Sequence, residues 1–220
     1  MIKAIIFDFD GLILDTETYE IQSYQQIYEE HQIPFPHQRW LENIGTQGTF
    51  NPFDELLHAK KDLVLEKLDL ERIAKYEQLT IDIQPREGVL EYLIRGKELG
   101  LKLAIASSSS KKWVTTYLER LGLSPYFDCI HTSDDVKKVK PDPELYIKTM
   151  NYFKLQPEEA IVFEDSANGS LAAIRAGIPC VIVPNETTST LIFHEKVALR
   201  LKSKKEKTLD EVISFISQLK

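Results

Sequence analysis

Ala4-Ile5-Ile6-Phe7-Asp8-Phe9-Asp10-Gly11-Leu12-Ile13-Leu14-Asp15-Thr16 opens with an apolar run and closes on acids. Residues 4–7 are rich in β-branched and aromatic side chains and too few for a helix, so they predict a buried strand. Asp8 and Asp10 then fall at its carboxyl end, where open α/β sheets place their ligands. Gly11 permits a sharp turn, and Leu12-Ile13-Leu14 could return as a small flap. Carboxylates two residues apart repel unless a cation or a proton separates them. A solvated Asp-x-Asp-Gly turn is the competing reading, since both residue types favour turns. A calcium-binding EF-hand loop is excluded, because the further ligands do not follow at the required offsets.

Downstream of Pro85 the pattern alternates between helix and strand. Residues 102–106, 127–131, 160–163 and 180–183 predict strands. Leu90, Leu93 and Ile94 predict one helical face, and Val114, Tyr117, Leu118 and Leu121 another. Further helices are expected over 145–153, 170–176 and 209–219. Near-continuous apolar strands alternating with helices imply a doubly wound parallel sheet, a Rossmann-like α/β core covered on both faces. Polar residues recur where these strands end: Asp8 and Asp10, then Ser107, then Glu164 and Asp165, with Lys140 ahead of a helix. In a parallel sheet all such ends share one edge, so acids, a hydroxyl and an ammonium converge there. That set suits a phosphoryl group neutralised by Mg²⁺ on one side and by a lysine on the other.

Residues 16–83 show helical spacing throughout, as in Ile21, Tyr24, Ile27 and Tyr28, and predict an all-helical cap domain. The catalytic core would then comprise 1–15 and 84–220. Asn51-Pro52-Phe53-Asp54 resembles a helix start with Pro at its first position, and residues 45–49 an exposed loop. The cap carries thirteen acids against six bases, the whole net charge of −7, while the remainder is neutral. This balance disfavours nucleic acid and anionic membrane surfaces as partners. No apolar run reaches a bilayer-spanning length, no signal-peptide layout is present, and Cys129 and Cys180 lack metal spacing. A cytoplasmic protein, a monomer with buried thiols, is expected. Lys202 to Lys207 predicts a solvated basic turn.

Four segments together, Asp8 to Thr16, Ala106-Ser107-Ser108, Lys140-Pro141-Asp142-Pro143 and Phe163 to Gly169, resemble the four motifs of the haloacid dehalogenase-like superfamily. The helical insertion resembles the cap of its β-phosphoglucomutase and phosphoglycolate phosphatase branch. The resemblance implies Asp8 as nucleophile, forming an aspartyl-phosphate, and Asp10 as general acid and then base. It implies Mg²⁺ held by Asp8, Asp10 through its backbone carbonyl, and Asp165, with Glu164 adjacent or through water. Ser107 and the backbone N–H of Ser108, at a helix start, would hold phosphate oxygens, and Lys140 would offset the charge of Asp8 and the phosphoryl group.

Dehalogenases of this superfamily lack the second aspartate, and a phosphonatase needs a cap lysine in a recognisable setting. Mutases resembling this chain carry His where Glu20 stands, and cations where Ile44 and Gly48 stand. A phosphatase acting on a small phosphorylated metabolite is therefore expected over a mutase. A non-catalytic phosphate sensor is a further alternative, though receivers of that kind lack the insertion. Gly45, Thr46 and Gln47, with Glu20, are the expected specificity residues; an ordinary connecting loop is the competing reading.

Overall fold

The computed structural model describes residues 1–43 and 50–219. Its strands are β1 (Ala4–Phe7), β2 (Lys102–Ala106), β3 (Cys129–His131), β4 (Ala160–Glu164), β5 (Cys180–Ile182) and β6 (Leu199–Arg200). All neighbours pair in parallel, in the order β3-β2-β1-β4-β5-β6. β1 is central, and its side chains alternate between two cores with the period of a strand. Ile5 and Phe7 join Leu103, Ile105, Ile161 and Phe163 on one face, under α5 (Val89–Glu98), α6 (Lys111–Arg120) and α9 (Leu209–Gln218). Ala4 and Ile6 join Ala104, Ala106 and Val162 on the other, under α7 (Glu144–Phe153) and α8 (Ala167–Arg175). The doubly wound α/β class expected from the alternation is the one observed.

Between β1 and β2 lie α1 (Thr16–Glu30), α2 (His37–Asn43), α3 (Asp54–Ala59) and α4 (Leu65–Leu79). They gather a separate apolar cluster of Ile21, Tyr24, Ile27, Tyr28, Trp40, Phe53, Leu56 and Leu68. Asp15 caps α1 by accepting from the Thr18 N–H at 3.3 Å. The chain leaves and re-enters the sheet side by side, through a bridge between Leu14 and Pro85 and the Arg86 N–H donating to the Ile13 carbonyl at 2.8 Å.

Four details differ from the sequence expectations. β6 was not foreseen: it spans two residues, too few to show the period of a strand, and only pairing with β5 defines it. α5 turns Val89, Tyr92, Leu93 and Gly96 inward and leaves Leu90 and Ile94 partly in solvent, because the sheet fixes its rotation. α3 starts at Asp54 rather than Pro52, since Asn51 spends its carbonyl oxygen Oδ1 on the Phe53 N–H in a turn. Lys204 is not a solvated charge but is 2% exposed, its ammonium donating to the Leu12 carbonyl at 2.9 Å. Burial pulls this ammonium well below the usual lysine range, with Arg86 adding to the effect. Arg86 itself donates to the carbonyls of Gly11, Val183 (3.0 Å) and Pro184 (2.8 Å), so Lys204 and Arg86 together pin the turn after Asp10. Cys129 and Cys180 are buried free thiols, as expected.

Candidate active site

Asp8 follows β1 directly, and its backbone N–H continues the ladder to the Phe163 carbonyl at 3.0 Å. Its carboxylate accepts from the Lys140 ammonium, which donates also to Glu164 Oε1 at 2.6 Å. Lys140 is 2% exposed, so this is a buried charge cluster rather than a surface pair. Burial alone would depress the Lys140 ammonium, but Asp8 and Glu164 outweigh it and hold it charged above the usual range.

Glu164 spends both oxygens. Oε1 accepts from Lys140 and from the Tyr146 hydroxyl at 2.7 Å; Oε2 accepts from the N–H groups of Asp165 and Ser166 and from the Ser166 hydroxyl. The carboxylate fits only because residue 169 is glycine: a Cβ there would stand 1.9 Å from Oε1. Gly169→Ala is expected to cost about 1–3 kcal/mol by overpacking, read as a lowered urea midpoint; an unchanged midpoint would show that Glu164 can move aside freely.

Asp165 Oδ2 accepts from Asn185 Nδ2 at 2.9 Å and the Thr188 hydroxyl at 3.4 Å. Asn185 Nδ2 also donates to Glu17 Oε2 at 2.9 Å, tying the first turn of α1 to this site. Asp165 Oδ1 is buried with no hydrogen-bond partner. Asp8, Glu164 and Asp165 each offer a carboxylate oxygen within 4.8 Å of the others. Burial, reinforced by the neighbouring acids, raises Asp8 and Asp165 well above the usual carboxylate range, and burial raises Glu17 to about 8. A bare carboxylate oxygen beside two further acids fits a hard divalent cation, whose charge would relieve this repulsion.

A carboxyl whose pKa is higher folded than unfolded favours folding at low pH, and that preference is lost as pH rises toward the folded value. Protein without metal should therefore lose stability between the ordinary glutamate value of 4.5 and about 8. Thermal melts should show a Mg²⁺-induced gain in Tm that grows with pH across this window and vanishes in Asp165→Asn. A gain independent of pH would contradict this.

Asp10 is turned to different partners. Oδ1 accepts from the Thr16 hydroxyl and from Trp113 Nε1, each at 2.8 Å; Oδ2 accepts from the Ser109 hydroxyl at 2.6 Å and the Ser107 hydroxyl at 3.5 Å. Ser107 is buried behind β2 and accepts from the Ser109 N–H at 3.0 Å. Ser107 and Ser108 were expected at a helix start, but Ser110 is the cap of α6, accepting from the Trp113 N–H; the preceding serines form the loop beside Asp10. A cavity of about 1080 Å³ joins this edge to α1 and α4, and Asp8, Asp10, Ser107, Ser108 and Lys140 all line it. Glu20 and Arg72 line its far side. Burial raises Glu20 to about 7, opposed by Arg72 and assisted by Asp10. Gly45, Thr46 and Gln47 lie outside the described residues.

Sequence reasoning missed Ser109, Trp113, Tyr146 and Asn185, as well as Arg72. Only Asn185 carried a local signal: with Thr188 three residues on, it forms a turn in which the Thr188 N–H donates to Asn185 Oδ1 at 2.8 Å.

At the carboxyl edge of the central strands Asp8 thus meets a buried lysine beside a second acid pair, while Asp10 turns to hydroxyls and an indole. Residues 5–183 match the family described as Haloacid dehalogenase-like hydrolase, and the chain belongs to it. It is 48% identical over 196 residues to YhcW of Bacillus subtilis, covering 89% of each chain. It is 31% identical over 191 residues to the phosphorylated carbohydrates phosphatase of Thermotoga maritima, covering 80% of this chain and 82% of that one. The fold superposes on an Asp-to-Asn point mutant of CbbY from Rhodobacter sphaeroides, solved in complex with xylulose-(1,5)bisphosphate, with a TM-score of 0.73, 25% identity and coverage of 94% and 96%. Among the described residues no helix is long and apolar enough to cross a membrane.

Proposed function

We propose that the protein is a Mg²⁺-dependent phosphatase that hydrolyses a small phosphomonoester through a phosphoryl group carried on Asp8, with residues 16–83 as its cap. A relative named as a phosphatase, the phosphorylated carbohydrates phosphatase of Thermotoga maritima, supports this reading. The observation that carries the mechanism is the buried Asp8–Lys140–Glu164 cluster beside the bare Asp165 oxygen, at the C-terminal edge of the central strands. When bound, Mg²⁺ would neutralise phosphate charge and bring it to Asp8; Asp8, Asp165 and the Asp10 backbone carbonyl would hold it, with Glu164 adjacent.

Asp8 attacks phosphorus and the phosphorus–ester oxygen bond breaks, while Asp10 gives its proton to the departing alkoxide. Water then attacks the same phosphorus, Asp10 takes the water's proton, and the bond to Asp8 breaks to release inorganic phosphate. Ester and water become alcohol and phosphate, and both aspartates return to their starting state. Lys140 offsets the negative charge that Asp8 and the phosphoryl group bring together. Glu164 keeps that ammonium in place, and the Ser107 hydroxyl and Ser108 N–H serve the phosphate oxygens.

Glu20 and Arg72 supply a polar far wall to the cavity, and Arg72 Nε is buried without a hydrogen-bond partner. These groups suit the hydroxyls of a compact metabolite such as a sugar phosphate. Phosphate release from a panel of small phosphomonoesters, with Mg²⁺ or with EDTA, tests the reading. Turnover confined to Mg²⁺ and strongest for hydroxylated esters is expected. Equal turnover in EDTA, or no release from any ester, would overturn it.

A further inference from the structure

We propose that Trp113 is a positioning residue for Asp10, transmitting the contact between cap and core to the carboxylate that moves the proton; the inference rests on the phosphatase reading above. Four side-chain donors reach Asp10. Three are hydroxyls, which rotate and can accept as well as donate, whereas an indole N–H can only donate. Trp113 therefore fixes Oδ1 as an acceptor, and leaves Oδ2, facing Ser107 and Ser109, as the oxygen able to carry a proton to a hydroxyl or a leaving group.

The orientation of the indole is set from both sides. Tyr117, one turn along α6, meets it edge-on with ring centroids 4.9 Å apart. Tyr76 of α4 packs on it with centroids 5.6 Å apart. The two tyrosine hydroxyls lie 3.4 Å from each other, and Arg120, also on α6, donates to the Thr80 carbonyl at 3.1 Å and to that of Ile81. The α6 helix is thus the surface on which the end of α4 rests. Among the described residues, Trp113 is the member of that surface whose side chain hydrogen-bonds Asp10. On the other side of Oδ1, Thr16 is the first residue of α1. Both donors to Oδ1 are consequently tied to the helical insertion, one by sequence and one by packing. Lifting the insertion from α6 would release the proton-carrying group from its working position.

Trp113→Phe keeps an aromatic ring against Tyr76 and deletes the donor. It should lower kcat on the best panel ester about tenfold, a fraction of what acid–base catalysis supplies, with KM within about twofold of wild type. Tyr76→Ala, which removes the ring packed on the indole, should lower kcat similarly. The double variant should be no worse than the worse single one, because both act through one contact. Wild-type kcat in Trp113→Phe, or losses that multiply in the double variant, would overturn the proposal. Fluorine NMR of fluorotryptophan-labelled protein tests the contact without turnover. The Trp113 resonance, assigned by its loss in Trp113→Phe, should shift in both Asp10→Asn and Tyr76→Ala; no shift in either would overturn the proposal even if the protein hydrolysed none of the esters.

Discussion

Asp8→Asn is expected to lower Mg²⁺-dependent phosphate release by at least about 10⁴-fold, the scale on which an enzyme loses its nucleophile. Asn keeps the shape of the side chain and removes the charged oxygen that attacks phosphorus. The fold should survive, because Lys140 keeps its 2.6 Å bond to Glu164 and the site loses one of three crowded acids. Release kinetics and a thermal melt on the same preparation separate the two effects. Residual turnover within tenfold of wild type would mean that water attacks the ester directly and that Asp8 serves only the metal.

Lys140→Met is expected to fail twice over. Its alkyl chain fills a comparable volume, but Asp8 and Glu164 are then left buried without their shared cation. Removing one partner of a buried ion pair costs about 3–5 kcal/mol, a large share of a domain's stability. Urea unfolding should show this loss, and Mg²⁺ should restore only part of it, since the cation would relieve Asp8 but not the Glu164 oxygen that Lys140 engages. Phosphate release should fall by at least about 10²-fold even in folded protein. An unfolding midpoint unchanged from wild type would contradict the charge cluster.

The edge on which these effects converge was legible in the sequence for a specific reason. Asp8, Ser107, Glu164 and Asp165 sit where apolar strands stop, and parallel pairing brings every such stop to one side. Lys140 was legible through its motif rather than its surroundings. Trp113 was not, because nothing local says that the third residue after the Ser110 cap points back at Asp10; only the packing of α6 on the sheet does. Tyr146 and Arg72 are ordinary members of helices until the face they show is known. Lys204 misled because a lysine among lysines is ordinarily solvated, whereas here the chain turns it inward onto the Leu12 carbonyl. Gly169 was quoted within a motif, yet its reason is spatial: the carboxylate of Glu164 occupies the place of its missing side chain.

The aspartyl-phosphate itself is the most direct object to measure. Asp10→Asn should stall the cycle after the first displacement when the ester carries an aryl leaving group that needs no acid, since water then lacks its base. Rapid acid quench and peptide mass spectrometry of that variant with Mg²⁺ should find a phosphoryl group on the peptide containing Asp8, removed by hydroxylamine and absent from Asp8→Asn/Asp10→Asn. Release of phosphate by Asp10→Asn at a measurable rate with Asp8 unmodified throughout would contradict the account.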